Sequence, residues 1–391
     1  MSPNAPTPSS PGALSTAPYA ESRVGPNRVA LLKDGLQAFP AMLSAIAAAR
    51  STVCLETYIL KDDELGLRFL AALMERARAG VEVLLMYDYW GSEVSERTLA
   101  ELARAGVKVH VFRPWRYLGS LSRAFSKVRR RNHRKSLIVD GQVGFTGGLN
   151  ISNDYAPVSE GGGGWRDTHV RISGPDAQSL ERLFLITWAQ NKGAKFDLKR
   201  FTRPRFAGCE KLRVVGNDFA LDRKGIRRAY EEAFAKATQR ICVTNAYFLP
   251  PAKMVRGLVL AARRGVKVKV ILAATTDVKL VLYAARGLYP RLLKNGIEVY
   301  EWASGRILHA KTAVVDGTWA TVGSSNLDPM SLRQNLEVNA ILTEPSFGTA
   351  LERMFNEDLE HCEQITLTEV RQYGLVQRLL SWIAYRLRHW L

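Results

Sequence analysis

The chain has 391 residues, and its 55 lysines and arginines outnumber its 37 aspartates and glutamates, so its formal net charge is +18 at pH 7. A hydrophobic fraction of 47% with 24% charged residues is typical of a globular protein and excludes a largely disordered, collagen-like or coiled-coil chain. The charge excess indicates a polyanionic partner, which is a nucleic acid, an anionic membrane surface or a phosphate-bearing substrate. Composition alone does not choose among these three.

The first 26 residues are rich in Pro, Ser and Ala, which predicts a disordered tail over residues 1–26. This segment lacks the basic and then apolar pattern of a secretory signal. No run in the chain approaches the roughly 18 apolar residues that cross a bilayer. If the protein contacts a membrane, we expect it to lie on the surface.

An internal duplication organises the rest of the chain. The segment NHRKSLIVDGQVGFTGGLN, which ends at Asn150, is repeated as LHAKTAVVDGTWATVGSSN, which ends at Asn326. The His, Lys, Asp and Asn residues of the two copies are all displaced by the same 176 residues. In each half, short β-branched runs alternate with amphipathic stretches upstream of this segment. That order predicts α/β units around a largely parallel sheet.

The two halves are predicted to be related α/β domains over 27–200 and 201–367. They meet near residues 195–215, where the sequence is basic and interrupted by Pro and Gly. The first half is longer before its repeated segment, because Gly106 precedes His133 by 27 residues whereas Gly296 precedes His309 by 13. This insertion of 14 residues lies within 114–131, where Arg and Lys alternate with aromatic and aliphatic residues. It is either a solvated basic loop or a flap over the site.

Each repeated segment alternates and then reaches Asp-Gly, which predicts a β-hairpin. His133 and Lys135 are two residues apart and therefore share one face of an extended strand, as do His309 and Lys311. Two such hairpins, one from each half, can meet across a pseudo-two-fold axis. They then bring two imidazoles and two ammonium groups into one cleft.

That set of groups suits phosphoryl transfer. Two lysines neutralise phosphate oxygens, and the side chains of Asn150 and Asn326 can donate to the same oxygens. One neutral histidine can attack phosphorus while the other, protonated, gives its proton to the leaving alkoxide. Each histidine also needs a carboxylate to fix its tautomer, and each half supplies one downstream, Asp167 and Glu337. This chemistry requires no metal and no cofactor, and no cluster has metal-ligand spacing.

The end of the chain, residues 368–391, combines arginines with leucines and tryptophans at helical spacing and has one acidic residue, Glu369. This pattern predicts an amphipathic helix that lies in the plane of an anionic membrane interface. The alternative is a helix that packs on the protein itself or on a second copy.

The paired HRKSLIVD…GGLN and HAKTAVVD…GSSN segments resemble the two HKD motifs of the phospholipase D superfamily. From about residue 27 to 370, the resemblance is closer to bacterial cardiolipin synthases, and to their shorter, peripherally attached subgroup without N-terminal transmembrane helices. Similar features include LETYILKDDELG, GWRDTHVRISG, NAYFLPP and SSNLDPMSLRQNLEVN. The first motif is followed by Gly147-Gly148, where many members have Gly-Ser, and the second by Gly323-Ser324.

The resemblance implies two α/β/α sandwich halves with one shared site and a phosphohistidine intermediate. His133 is then the nucleophile, and His309 acts as acid and later as base. The other matches are the phosphate-binding Lys135, Lys311, Asn150 and Asn326, the histidine-orienting Asp167 and Glu337, and the motif aspartates Asp140 and Asp316, which in this family are more structural than catalytic.

The family also implies a substrate, a partner and a location. A phosphatidyl group passes to phosphatidylglycerol at the cytoplasmic face of the bacterial inner membrane, and phosphatidylethanolamine remains possible as the donor. The alternative functions differ from this one in the alcohol that accepts the phosphatidyl group, in the class of substrate, or in the absence of catalysis. They are a phospholipase D, a phosphatidylserine synthase, a nuclease or phosphodiesterase, and a non-catalytic lipid-binding protein. A nuclease would suit the charge of +18 but not a C-terminal helix with two tryptophans and an apolar stripe. The oligomeric state is open.

Overall fold

A computed structural model describes residues 15–113, 130–192, 208–217, 224–276 and 278–386. The prediction of two related α/β halves is confirmed, since each half builds one eight-stranded sheet. The elements of the first half are β1 (Ala20–Val24), β2 (Asn27–Lys33), α1 (Asp34–Ala47), β3 (Thr52–Thr57), α2 (Glu64–Arg78), β4 (Glu82–Asp88), α3 (Glu96–Arg104), β5 (Lys108–Phe112), β6 (Ser136–Val139), β7 (Val143–Gly147), β8 (Thr168–Ser173) and α4 (Ala177–Lys192).

The second half repeats this order. Its elements are β9 (Leu212–Asn217), α5 (Gly225–Lys236), β10 (Arg240–Asn245), α6 (Ala252–Arg263), β11 (Lys267–Ala273), α7 (Lys279–Arg286), α8 (Tyr289–Leu293), β12 (Glu298–Trp302), β13 (Lys311–Val315), β14 (Trp319–Gly323), α9 (Pro329–Arg333), β15 (Glu337–Leu342), α10 (Pro345–Leu359), β16 (Cys362–Ile365), α11 (Leu367–Gln372) and α12 (Leu375–Arg386).

The sheets are mixed rather than largely parallel, so that part of the prediction is wrong. The first sheet has the order β1-β2-β8-β7-β6-β3-β4-β5, and the second has the order β16-β12-β11-β10-β13-β14-β15-β9. Only β3-β4-β5 and β10-β11-β12 run parallel, because helical crossovers join them. All other neighbours are antiparallel, since the repeated segments turn back as hairpins and later strands extend the sheet.

The two predicted hairpins are present and turn at the Asp-Gly pairs. Asp140 and Asp316 both have φ of 52°, and the glycine after each also has positive φ. This left-handed backbone suits a tight hairpin between strands with a right-handed twist. Each hairpin lies beside the first parallel strand of its sheet, β6 on β3 and β13 on β10. The strand beginnings of β6 and β13 therefore lie at the carboxyl edge of the parallel strands.

The halves share a hydrophobic core. One cluster of buried side chains contains Ile138 and Val170 of the first sheet together with Val322 and Val338 of the second. Burial of apolar area at roughly 25 cal/mol per Å² makes this joint core a main contribution to the association of the halves. The halves are thus one folding unit around one site.

Both ends of the described chain differ from the expected tail and helix. β1, over Ala20–Val24, lies inside the segment predicted to be disordered and pairs with β2, so the expected tail at 1–26 is too long. Residues 1–14 lie outside the described residues. The C-terminal segment forms two helices, α11 and α12, because Tyr373 adopts an extended backbone before Gly374. No helix among the described residues is long and apolar enough to span a bilayer.

Candidate active site

The two repeated His-Lys motifs begin where the halves touch. The backbone N–H of His133 donates to the carbonyl of Leu336 at 3.0 Å, and the N–H of His309 donates to the carbonyl of Arg166 at 2.8 Å. Each motif is thus paired, over a few residues, with the segment that precedes the acid-bearing strand of the other half. Both histidines are thereby held at one inter-half seam.

The acids are exchanged between the halves. His133 Nδ1 lies 2.9 and 3.1 Å from the two carboxylate oxygens of Glu337, and His309 Nδ1 lies 2.7 Å from Oδ2 of Asp167. Both carboxylates are completely buried. A carboxylate on Nδ1 fixes the tautomer and leaves Nε2 for the substrate. The sequence identified both acids, but only the fold assigns each to the histidine of the opposite half.

The lysines lie under the histidines. Lys135 Nζ donates to the carbonyl of His133 at 2.8 Å, and Lys311 Nζ donates to that of His309. Both lysines are buried. Burial, with the neighbouring Lys311, lowers the pKa of Lys135 to about 7 despite the opposing effect of Glu337. A buried cation with little hydration is well suited to bind a phosphate oxygen.

The same environment makes the histidines neutral at pH 7. Burial, together with the charges of Lys311 and Lys135, lowers the pKa of His309 to about 4, although Asp167 opposes this shift. Burial also lowers the pKa of His133, with Glu337 opposing and Lys135 and Lys311 contributing. The mutual influence of these groups indicates that all of them share one site. Either imidazole is therefore available to attack phosphorus before a substrate binds.

The side-chain amides of the two asparagines differ in how many of their atoms are hydrogen-bonded to the protein. Asn150 Oδ1 accepts from the N–H of Ile59 at 3.1 Å, and its Nδ2 donates to the Tyr155 hydroxyl at 2.7 Å. Asn326 is also buried, but its Oδ1 has no partner. Asn150 therefore has one N–H left for a phosphate oxygen, while Asn326 is less committed to the protein.

The motif aspartates lie away from the histidines, at the turns of the hairpins. Asp140 accepts hydrogen bonds from the N–H groups of residues 50–52 and from the Ser51 hydroxyl at 2.7 to 2.9 Å. Asp316 accepts equivalent bonds from residues 238–240. The turn of each hairpin is thus fastened to the start of the neighbouring strand. Both aspartates hold the fold and do not touch the reacting groups.

The residue after Gly147 and Gly323 differs between the halves for a steric reason. The Ser324 hydroxyl donates to Oε2 of Glu337 at 2.5 Å. A Cβ on Gly148 would lie 2.1 Å from Oδ1 of Asp167. The shorter acid therefore occupies the space that a side chain at 148 would need, and no hydroxyl is required there.

Several residues that position the histidines were missed by the sequence reasoning. The Tyr58 ring lies 4.9 Å from the ring of His133, and Tyr155 and Trp165 lie 5.3 and 5.7 Å from that of His309. Tyr58 stands in TYI, which the second half echoes as AYF, so the repeat held a signal for it. Nothing in the local sequence marks the other two rings.

A buried ion network lies behind Asp167. The Arg166 guanidinium pairs with Asp358 of α10 at 2.6 Å and with Asp34 at 3.2 Å. Asp34 Oδ1 also accepts from the N–H of Asp167 at 2.9 Å, and the Asp34 N–H donates to the Asp167 carbonyl. Asp34 holds φ at 59°, a strained value for a residue other than glycine. This network fixes the backbone that carries the acid.

On the other side of the site, Asp88 performs a comparable task. Its carboxylate accepts from the N–H groups of Asn132 and Trp90, both at 2.9 Å, and lies 3.5 Å from the Arg131 guanidinium. The segment that leads into His133 is thereby anchored. Most of the predicted basic insertion, residues 114–129, lies outside the described residues.

Comparisons with known proteins agree with this geometry. A family model described as "Cardiolipin synthase, PLD-like domain" matches residues 42–184 and 230–359. Cardiolipin synthase B of Salmonella typhi is 34% identical over 376 residues, which cover 93% of this chain and 88% of that protein. The probable cardiolipin synthase YwiE of Bacillus subtilis (strain 168) is 33% identical over 357 residues, covering 90% and 70%.

Among solved structures, the phosphatidylserine synthase of Haemophilus influenzae Rd KW20 superposes with a TM-score of 0.73. The match covers 93% of this chain and 95% of that one at 14% identity, so it concerns the fold alone. The matched family segments contain both histidines, both lysines and both acids of the site. The chain therefore belongs to the cardiolipin synthase family of proteins with phospholipase D-like domains.

Proposed function

We propose that the protein is a phospholipase D-type phosphatidyltransferase that makes cardiolipin. It transfers the phosphatidyl group of a donor phospholipid to the terminal hydroxyl of phosphatidylglycerol and releases the head-group alcohol of the donor. The observation that carries this proposal is the inter-half site, in which two histidine–carboxylate pairs stand beside two buried lysines. The names of the relatives support the choice of lipid.

In the first step, Nε2 of His133 attacks the phosphorus of the donor. A P–N bond forms and the P–O bond to the head group breaks, while His309 gives its proton to the departing alkoxide. Lys135 and Lys311 stabilise the charge on the nonbridging oxygens, and the hydrogen bond to Glu337 holds the attacking imidazole in the correct tautomer. The product is a phosphatidyl group bound to His133.

In the second step, the terminal hydroxyl of phosphatidylglycerol gives its proton to His309 and attacks the same phosphorus. The P–N bond breaks and His133 returns to its neutral form. His309 has to be protonated at the start of this cycle, although its pKa in the free protein is about 4. A phosphodiester anion between Lys135 and Lys311 offsets their repulsion of the imidazolium, so substrate binding raises this pKa.

A peripheral position on the cytoplasmic face of the bacterial cell membrane belongs to the same proposal. α12 buries Ser381 and Ala384 and leaves Leu379, Trp382 and Ile383 exposed, and the Arg386 guanidinium lies 5.5 Å from the Trp382 ring. The helix therefore packs on the protein with one face and keeps an apolar face with arginines for an anionic surface. Packing on the protein, one of the two predicted alternatives, thus accounts for one face of α12, and contact with the membrane is our proposal for the other.

The decisive experiment incubates the purified protein with vesicles of phosphatidylglycerol, with and without phosphatidylethanolamine, and resolves the lipid and alcohol products. Cardiolipin with glycerol supports the proposal, and ethanolamine release identifies the other donor. Phosphatidic acid alone would make the protein a hydrolase, and no turnover would leave a lipid-binding protein. His361→Ala, a surface histidine, is the matched control for His133→Ala and His309→Ala.

The intermediate is tested with a donor labelled in the phosphatidyl group. When the donor has a good leaving alcohol, the first step does not need the acid, so His309→Ala is expected to form the labelled intermediate on His133. The label is expected to stay there, because the second step needs His309 as its base. Label on residue 309 in His133→Ala, with none on His133 in the other variant, would reverse the two roles.

A further inference from the structure

The large apolar side chains that remain exposed are concentrated at one edge of the molecule. Among the described residues, all of them except Leu260 follow closely on the carboxyl end of a strand that runs with β3 or β10, or lie on a helix packed against such a segment. That edge is where the site opens, since β6 and β13 start there. The residues are Leu67, Tyr89, Trp90, Val158, Val278, Leu280, Leu379, Leu380, Trp382 and Ile383. Leu260 stands near the end of α6, toward the opposite edge of the sheet.

On the His133 side, Tyr89 and Trp90 follow β4 directly. Trp90 is 57% exposed, and the guanidinium of Arg131, two residues before His133, lies 5.1 Å from its ring. Asp88 accepts hydrogen bonds both from the N–H of Trp90 and from that of Asn132. The exposed tryptophan is thus fixed to the segment that carries His133, at the rim of the site.

On the His309 side, Val158 is 63% exposed. It lines a cavity together with Tyr155 and Arg306, and the ring of Tyr155 lies 5.3 Å from that of His309. An apolar residue and an arginine therefore stand at the rim near this histidine as well.

The helices α7 and α12 extend this surface in the second half. α7 starts soon after β11, and α12 packs closely on its end, where a Cβ on Gly287 would lie 2.6 Å from the carbonyl oxygen of Ser381. Neither helix contains an acidic residue. Lys279, Arg378 and Arg386 are exposed among the apolar side chains.

We propose that these segments form a single docking face for a bilayer of anionic phospholipid, with Trp90 on one side of the site mouth and the α7–α12 pair on the other. β4 and β11 occupy equivalent positions in the two halves, so their connections flank the shared site from opposite sides. Apolar side chains enter the interface while basic side chains meet the lipid phosphates. Two contacts fix the orientation of the mouth, so that a phosphodiester reaches the histidines while its acyl chains stay in the bilayer. This inference rests on the proposed function only in taking a membrane lipid as substrate.

The test compares Trp90→Ser with a triple variant, Leu379→Ser/Trp382→Ser/Ile383→Ser, in flotation with vesicles of phosphatidylglycerol and of phosphatidylcholine. Leu260→Ser and Leu260→Ala are matched controls, since Leu260 is an exposed apolar side chain near the end of α6, away from the mouth. Each face variant is expected to lose about tenfold in affinity for anionic vesicles, the amount that follows from one or more large apolar side chains left in water. The controls are expected to stay within about twofold, and thermal unfolding checks that every variant folds.

A second measurement tests insertion directly. Brominated acyl chains quench tryptophan fluorescence on contact, so Trp90→Phe and Trp382→Phe are each expected to lose part of the quenching seen with the full chain. Loss in Trp382→Phe alone would overturn the two-sided face.

Other outcomes also overturn the inference. They are wild-type vesicle affinity in Trp90→Ser, equal losses in the controls, and a change in oligomeric mass on light scattering without a change in vesicle binding, which would assign the face to a second copy. Binding is measured without turnover. A protein that docks as described but forms no cardiolipin would refute the proposed function and leave the face intact.

Discussion

The two ends of the active site, His133 with Glu337 and His309 with Asp167, have the same topology and different chemistry. Both hydrogen bonds join a histidine to an acid from the other half. At one end the longer acid is supported by the Ser324 hydroxyl, whereas at the other the shorter acid lies against a glycine, Gly148. The comparison teaches that acid length and the neighbouring residue are a matched pair.

The surroundings of the two histidines differ as well. His309 lies beside two aromatic rings that contact each other, and its acid is fixed by the buried network of Arg166. Within the described part of the chain, His133 has one ring near it, that of Tyr58. A dry, aromatic environment favours the neutral imidazole, which agrees with the pKa of about 4 for His309. Because the pKa of His309 is this low in the free protein, its protonation at pH 7 depends on the substrate.

Replacement of either histidine is expected to have the largest effect. His133→Asn and His309→Asn each remove a proton-transfer or bond-forming group, so kcat for cardiolipin formation falls roughly 10⁴-fold or more. Product analysis after long incubation measures the residual rate. Retention of more than about a hundredth of the activity in one variant would show that the two ends are not equally required.

Exchange of the acids breaks the matched pairs. Asp167→Glu places an extra methylene against Gly148, and Glu337→Asp draws the carboxylate away from the Ser324 hydroxyl. We expect losses of roughly 100-fold in kcat for each, with little change in KM, because the geometry of the histidine rather than lipid binding is disturbed. Equal activity of Asp167→Glu and wild type would contradict the steric argument.

The neighbouring residues give a finer test. Gly148→Ala places a Cβ where Oδ1 of Asp167 now lies, and we expect a loss of about 30-fold in kcat. Ser324→Ala removes one charge-assisted hydrogen bond to Glu337 and is expected to lower kcat about tenfold or less. The ratio of the two losses, measured under identical vesicle conditions, is the informative quantity. A milder effect for Gly148→Ala would reverse the comparison.

The pH dependence of the free energy of unfolding tests the His309 end of the site. The pKa of His309 in the folded protein, about 4, lies below the ordinary value of 6.5, so the unfolded chain binds more protons between these values. The free energy of unfolding therefore contains a contribution that is present above pH 6.5 and is lost as the pH falls towards 4. Urea unfolding of His309→Asn is expected to show a flatter dependence over this window. An unchanged slope would mean that His309 is not buried in its neutral form.

The motif aspartates are expected to have the smallest effect on catalysis. Asp140→Ala and Asp316→Ala each remove the acceptor for several N–H groups, which costs about 2–3 kcal/mol in the free energy of unfolding. Below the unfolding transition, kcat is expected to stay within about threefold. Urea titration beside activity at low temperature distinguishes this structural role from a catalytic one.

Much of the site was predictable because its signals are local. The two-residue spacing of His133 and Lys135 predicts that both lie on one side of an extended segment, and Asp-Gly places the turn, irrespective of the rest of the fold. In the structure both residues directly precede β6 and are not part of it. The second copy of the pattern then made both histidines and both lysines candidates. The free Oδ1 of Asn326 and the committed amide of Asn150 were not predictable, since these depend on neighbours distant in sequence.

The sequence alone determined the duplication, the α/β class, the two hairpins and the residue types of the site, because periodicity and repetition are properties of the chain. Only the tertiary structure decided which acid serves which histidine. The partners lie 204 and 142 residues apart, and packing of the two sheets at a common core brings them together. The net charge of +18 likewise did not by itself choose among a nucleic acid, a membrane and a phosphate-bearing substrate; the docking face that we propose for an anionic bilayer depends on which side chains the fold leaves exposed.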